Sequence, residues 1–313
     1  HEVRIAAAHL DSISDEALPR LSRDNHALVR AHAAFTCRLP PSELRRLALD
    51  RHWGVRAAIA YDQRLPAKSV EKLADDDEEA VRANAARHQN LRPCLLGSLA
   101  EDGWATVRWA VASNPRTPRH ALVLLADDPS EFIQRSIAQH PHADPDALSR
   151  LATSRDAHVR KRAAEHPNMA ERTLLRLATD RSPAVRCAVA AHPSTPPKSL
   201  HHLSTSRLGS IRLAVARNPS TRPRTLRSLV RDEELHVALV AAQHEGADST
   251  VLAVAAVHPS VLVREIAAKG PIDADTAARL MADPEAAVLR ALAQNPAVLG
   301  RSRVFAFFAA GTE

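Results

Sequence analysis

Aromatic residues make up only 3% of the 313-residue chain. The apolar content, 45% overall, therefore rests on Ala, Leu and Val, and a core built around large rings is excluded. Cysteine is almost absent. Cys37, Cys94 and Cys187 lie 57 and 93 residues apart with no CxxC. An odd, scattered set argues against a disulfide framework and a metal knuckle, so a reducing, cytoplasmic setting is expected. Glycine is scarce at eight residues, and no Gly-rich phosphate loop or HExxH is present. No run of 18 apolar residues occurs, so no membrane span is expected. No basic stretch followed by an apolar one opens the chain. Position 1 is His1 rather than Met, which points to a trimmed chain. Charged residues at 25% with plentiful aliphatics exclude wholesale disorder. Arg outnumbers Lys by 37 to 5, a bias expected of a GC-rich bacterial genome.

What the sequence does have is a repeat. A Val or Ile recurs at residues 3, 29, 55, 81, 107, 133, 159, 185, 211, 237 and 263, always 26 apart, and a twelfth unit starts at Val288 after a step of 25. Numbering each unit from that residue, position 6 is Ala in all twelve, from Ala8 to Ala293. Position 19 is Leu from Leu21 to Leu229, and position 16 is Leu or Val from Leu18 to Leu252.

Each unit reads as two short helices. Positions 1, 5 and 6 form one apolar stripe at helical spacing, as in Val185, Val189 and Ala190. His or Asn at position 8 and Pro at position 9 (Asn114-Pro115, His192-Pro193) end the first helix, because a residue before Pro is pushed out of the α region. Thr at position 11 (Thr117, Thr195, Thr221) is expected to cap the second helix, with Pro in its first turn. Asp at position 22 is expected to cap the next unit's first helix. Helices this short are marginal alone in water, so stability must come from stacking on neighbours. The expected fold is all-α: a single α-solenoid over residues 1–313 without domain boundaries.

The unit Val185 to Ser210 resembles the leucine-rich repeat variant family at V-R-x-x-V-A-x-[HN]-P-x-T-P-x-x-L-x-x-L-A. The resemblance covers nearly the whole chain. It implies a right-handed superhelix in which α-helices alternate with 3₁₀ helices. A founding member carries a cysteine-bound iron–sulfur cluster before its repeats. This chain has no such cysteines, so no cofactor is expected. The D-x₅-R spacing across units (Asp24 to Arg30, Asp50 to Arg56, Asp180 to Arg186) also resembles the HEAT-repeat Asp–Arg ladder. Neither family name fixes a function.

No residue set calls for catalysis or metal. His recurs at position 8 because the repeat recurs, and equivalent residues in stacked units sit roughly a helix spacing apart, too far for one ion. These His read as helix-end residues favoured by the C-terminal dipole. Position 2 carries Arg in most units and reads as the partner of the preceding position-22 Asp. That pairing fails at Arg160, Arg212 and Arg264, where Ser154, Ser206 and His258 stand instead, although Asp156 can substitute beside Arg160. Arg212 is therefore a candidate for binding anions.

Charge is uneven. Residues 155–231 hold 16 Lys or Arg against four acids, +12 in a chain of +6. Arg172, Lys198 and Arg224 share position 14; Arg150 and Arg176 share position 18; Arg227 lies nearby. Equal positions in stacked units form a ridge, and a cationic ridge is the footprint of a polyanion binder. Trp53, Trp104 and Trp109 fall outside this block, so single-strand stacking platforms are missing from it. Normally polar positions turn apolar at Val123 and Leu124, and at Val254 and Val257, which suggests contact surfaces. The C-terminal Phe305 and Phe308 either fold over the last unit or form an interface. Both ends read as those of a fragment, or of a chain that self-associates through its C-terminal units. The expected function is a non-catalytic scaffold for a protein partner. The alternative is nucleic-acid or other polyanion binding through residues 155–231.

Overall fold

The computed structural model describes residues 16–36 and 38–299. They divide into two compact units that meet in sequence at Asn168 and Met169. Each is a stack of paired helices, and no strand occurs among the described residues. In the first unit the first helices of the repeats include Ala27–Phe35, Trp53–Ile59, Glu79–Ala86, Ala105–Ser113 and Glu131–Ala138. The second helices between them include Pro41–Leu47, Ala67–Leu73, Pro93–Leu99 and Arg119–Leu125. The second unit repeats the scheme, with Pro183–Ala191, Gly209–Arg217 and Leu235–Ala242 alternating with Pro197–Leu203, Pro223–Leu229 and Ser249–Ala255.

The periodic positions are the core. Val29, Val55, Val81, Val107, Val159, Val185 and Val237 are fully buried, as are the position-6 residues Ala60, Ala86, Ala164, Ala190 and Ala216. Leu44, Leu148, Leu200 and Leu226 at position 16 close the other side. Burying one such Leu or Val is worth about 1.5–3 kcal/mol. The small Ala lets neighbouring first helices approach closely. The first helix ends where His or Asn precedes Pro: Asn114, His166, His192 and Asn218 are all extended, with ψ of 120–130°.

Two local expectations are corrected. The 3₁₀ alternation is not seen: both helices of each described repeat are α, and 3₁₀ bonding survives only at their ends. Pro197–Leu203, for example, closes with Ser204 N–H to Leu200 O at 2.9 Å, then Ser206 N–H to Leu203 O at 3.1 Å. Thr at position 11 does not cap the second helix. Thr117, Thr195 and Thr221 donate backwards to Val111 O, Val189 O and Val215 O at 2.5–2.6 Å. Position 11 is a buried site, filled by Leu39, Leu65 and Leu91 in earlier repeats, so a hydroxyl placed there must find a partner inside. Pro at the first helical position does start the second helix, as at Pro197 and Pro223.

The Arg–Asp ladder exists, but its carboxylate comes from the other direction. Arg56 Nε and Nη2 fork onto Asp76, twenty residues downstream, at 2.6 and 2.8 Å. Its Nη1 donates to the main-chain carbonyls of Asp50 and Arg51 at 2.9 and 3.3 Å. Arg30–Asp50, Arg82–Asp102, Arg108–Asp128, Arg212–Asp232 and Arg264–Asp283 repeat the arrangement at 2.6–2.7 Å. Each Asp also accepts the N–H two residues on, at the mouth of the next first helix, as Asp50 does from His52 at 2.9 Å. Burial alone would raise the Asp50 carboxyl, but the Arg30 fork and the His52 N–H outweigh it and hold it below the usual range. In the sixth repeat both partners change together: Ser154 Oγ donates to Gln134 Oε1 at 2.6 Å.

Candidate functional site

The cationic positions fall on the second helices. In the second unit Arg172, Lys198 and Arg224 each occupy the second residue of their helix, and all three are exposed. Adjacent second helices lie side by side there: His201 Nδ1 meets Thr225 Oγ1 at 3.2 Å. Arg176 is exposed one turn further along its helix. Arg227 is half-buried, and its charge reaches Asp248. Arg150, in the first unit, is ion-paired with Asp127.

Arg212 is withdrawn from the anion-binding candidates. It is buried, it forks onto Asp232 at 2.6 and 2.9 Å, and Glu233 and Glu234 stand beside it at 3.3 and 3.2 Å. Arg264 is likewise taken by Asp283 at 2.6 Å. Arg186, read from sequence as Asp180's partner, meets no carboxylate among the described residues. Its Nη1 bonds only the carbonyls of Asp180 and Arg181, at 2.6 and 3.2 Å.

Of the apolar candidates, Leu124 and Val257 are exposed, while Val123 and Val254 are half-buried. Phe305 and Phe308 lie outside the described residues. Sequence reasoning missed a richer surface in the first unit. The Arg87 guanidinium sits 4.8 Å from the ring centre of Trp109, and Trp109 lies 5.7 Å from Phe132, tilted by 40°. These residues belong to three successive first helices or their ends. Phe132 is 56% exposed and Arg87 is also exposed, so a cation and two rings form one contiguous outer strip. The signal in the sequence was the position: 109 and 132 fall at sites 3 and 26, off the apolar stripe.

The position-8 residues form an internal spine. His88 Nε2 donates to Asp62 O at 2.9 Å and its Nδ1 accepts from Asn90 N–H at 3.0 Å. His140 and His244 repeat the reach to a carbonyl 26 residues back, each at 2.9 Å. In His88 and His140 one nitrogen donates and the other accepts, which is the bonding of a neutral ring, and the expected stabilisation by a helix dipole is not their role. Burial pushes His88 and His140 below the usual histidine value of 6.5, against the pull of the carbonyl bond. Asn114 and Asn218 also reach back without a titrating group, donating to Ala86 O and His88 O and to Ala190 O and His192 O while accepting the N–H two residues on. The unfolded imidazole protonates near 6.5 and the folded one only at lower pH. Stability from these rings is therefore full above 6.5 and lost as pH falls towards the folded value. The His88→Asn, His140→Asn variant should lose less Tm than the parent between pH 8 and pH 5, as read by circular dichroism melts.

No group of three or more His, Cys, Asp or Glu among the described residues could hold a metal ion. None of the described helices is long and apolar enough to cross a membrane.

Paired helices in 26-residue register define an α-solenoid. The sequence model of the family described as leucine rich repeat variant matches residues 105–130, the length of one repeat. Among solved structures, the chain is similar to one titled a leucine-rich repeat variant with a novel repetitive protein structural motif. Identity is 24% over 75% of this chain and 87% of that one, with a TM-score of 0.51. An engineered protein is 15% identical over 96% of this chain and 94% of its own, with a TM-score of 0.34. Kap121p, in a complex with Pho4p, is 12% identical over 88% of this chain and 38% of its own, also at 0.34. No curated protein matches the sequence. The chain thus has the α-solenoid fold of a leucine-rich repeat variant.

Proposed function

We propose that this chain is a non-catalytic scaffold that binds a protein partner through side chains presented by successive repeats. The supporting observation is the Arg87–Trp109–Phe132 strip. Aromatic rings and Arg on an outer face are the side chains that dominate protein interfaces, and a fold of stacked short helices offers them on a broad surface. Affinity capture with the full chain, followed by Trp109→Ala with Phe132→Ser, tests it. The captured partner should bind at least about tenfold more weakly to the variant, the loss expected of two hot-spot residues. Unchanged affinity for every captured protein would sink the reading.

The second reading is polyanion binding through residues 155–231. Exposed Lys198 and Arg224 favour it, since neither forms an ion pair among the described residues. The ion pair of Arg212 weakens it. If it holds, duplex DNA affinity falls steeply with log salt, and an Arg172→Glu, Lys198→Glu, Arg224→Glu variant loses it.

A further inference from the structure

We propose that Arg186 and Ser206 form a docking point for an acidic side chain, an Asp or Glu carboxylate, of a protein partner. The inference rests on the scaffold reading and names the chemistry of one contact.

The repeat supplies its own template. Position 2 and position 22 of a repeat change together. Where position 2 is Arg, position 22 is acidic: Arg30 with Asp50, Arg56 with Asp76, Arg82 with Asp102, Arg108 with Asp128, Arg212 with Asp232. The shortened repeat keeps the pair as Arg264 and Asp283. Where the acid is missing, the Arg is missing too: Gln134 stands with Ser154, and Ala238 with His258. The eighth repeat breaks the rule. Arg186 remains, but position 22 is Ser206.

Arg186 is still held in the ladder pose. Its Nη1 bonds Asp180 O and Arg181 O, the same two carbonyl positions that Arg56 and Arg82 use. In those repeats Nε and Nη2 then receive a carboxylate at 2.6–3.2 Å. Ser206 provides no carboxylate. Its hydroxyl keeps only the Asp's other duty, accepting Leu208 N–H at 3.2 Å. The planar fork of a guanidinium matches a carboxylate bidentately, and here it is half-buried, where such a pair is strong. The surroundings favour an anion. Exposed Arg181 and Arg207 flank the two segments, and Arg212 Nη1 lies on Ser206 O at 2.9 Å. Glu234 stands near but already faces Arg212 at 3.2 Å. A carboxylate rather than a phosphate is the expected ligand, because the site is shaped around an Asp side chain in the six sister repeats just named.

The test uses the full chain and an acetylated, amidated tetra-aspartate peptide, followed by calorimetry at low salt. Ser206→Asp should fill the fork from within. It should raise Tm and weaken peptide binding at least about tenfold, the scale of one charge-assisted hydrogen bond. Thr205→Asp places the same charge on the exposed neighbour and should weaken binding far less. Arg186→Gln, which copies the Gln134–Ser154 pair, should keep the helical signal and lose the peptide as Ser206→Asp does. Arg186→Lys keeps the charge without the fork and should also bind weakly. Equal losses for Ser206→Asp and Thr205→Asp, full affinity for Arg186→Lys, no peptide binding by the parent chain, or inorganic phosphate competing better than the peptide would each overturn the proposal. A chain that ignores tetra-aspartate, yet loses its captured partner on Trp109 and Phe132 substitution, keeps the scaffold and loses this site.

Discussion

Asp50→Ser is expected to destabilise the first unit by about 3–5 kcal/mol, the usual cost of leaving one member of a buried ion pair alone. Arg30 and Asp50 are both nearly inaccessible, joined at 2.7 and 2.8 Å. Removing the carboxylate strands a guanidinium whose Nη1 is still tethered to Asp24 O at 2.8 Å and Asn25 O at 3.1 Å, so the side chain cannot swing freely to water. The double variant Arg30→Gln, Asp50→Ser should recover much of the loss, because it installs the neutral pair that Gln134 and Ser154 already make at 2.6 Å. Urea denaturation of the parent, both single variants and the double variant gives the coupling energy directly. A single Asp50→Ser change within about 0.5 kcal/mol of the parent would show that the ladder contributes no more than a surface ion pair.

Leu200→Ala should cost about 2–5 kcal/mol. Leu200 is completely buried on Pro197–Leu203, facing the first helices of the second unit. Ala cannot fill that space, and a stack of seven- to nine-residue helices has little other core to relax into. Nearest-neighbour packing spreads the effect, since each repeat is stable only against the next. The transition of the second unit should therefore move to lower denaturant concentration, followed by far-UV circular dichroism. Lys198→Ala, two residues earlier and exposed, should leave it within about 0.5 kcal/mol.

Much of this was legible without coordinates. Val185, Ala190 and Leu200 announce themselves by position alone, since a 26-residue register forces equal positions into equal environments. The ladder was half legible. Six residues separate Asp50 from Arg56 and twenty separate Arg30 from Asp50, and the two intervals add up to one repeat. Periodicity alone cannot say which acid meets which Arg; only the direction in which the side chain leaves its helix decides. That ambiguity made Arg212 look open and Arg186 look paired, the reverse of what is found. Thr195 was misread because Thr before Pro resembles a cap, whereas its neighbours in other repeats, Leu65 and Leu91, mark the position as interior. The Arg87–Trp109–Phe132 strip was hidden because it joins two repeats at three different positions, a pattern that no repeat average contains.

The ladder also limits how such a chain can change in length. Each Arg holds the carbonyls behind it and the carboxylate ahead of it, so every clasp spans the seam between one copy of the motif and the next. An insertion within a helix of the span would turn acid and base away from each other. Gain or loss of a complete copy leaves every surviving clasp with an equivalent mate. The one-residue deletion before Val288, across which Arg264 still reaches Asp283 at 2.6 Å, measures the slack the device tolerates. Genes for such chains should therefore grow and shrink by whole modules, with single-codon indels confined to the turns.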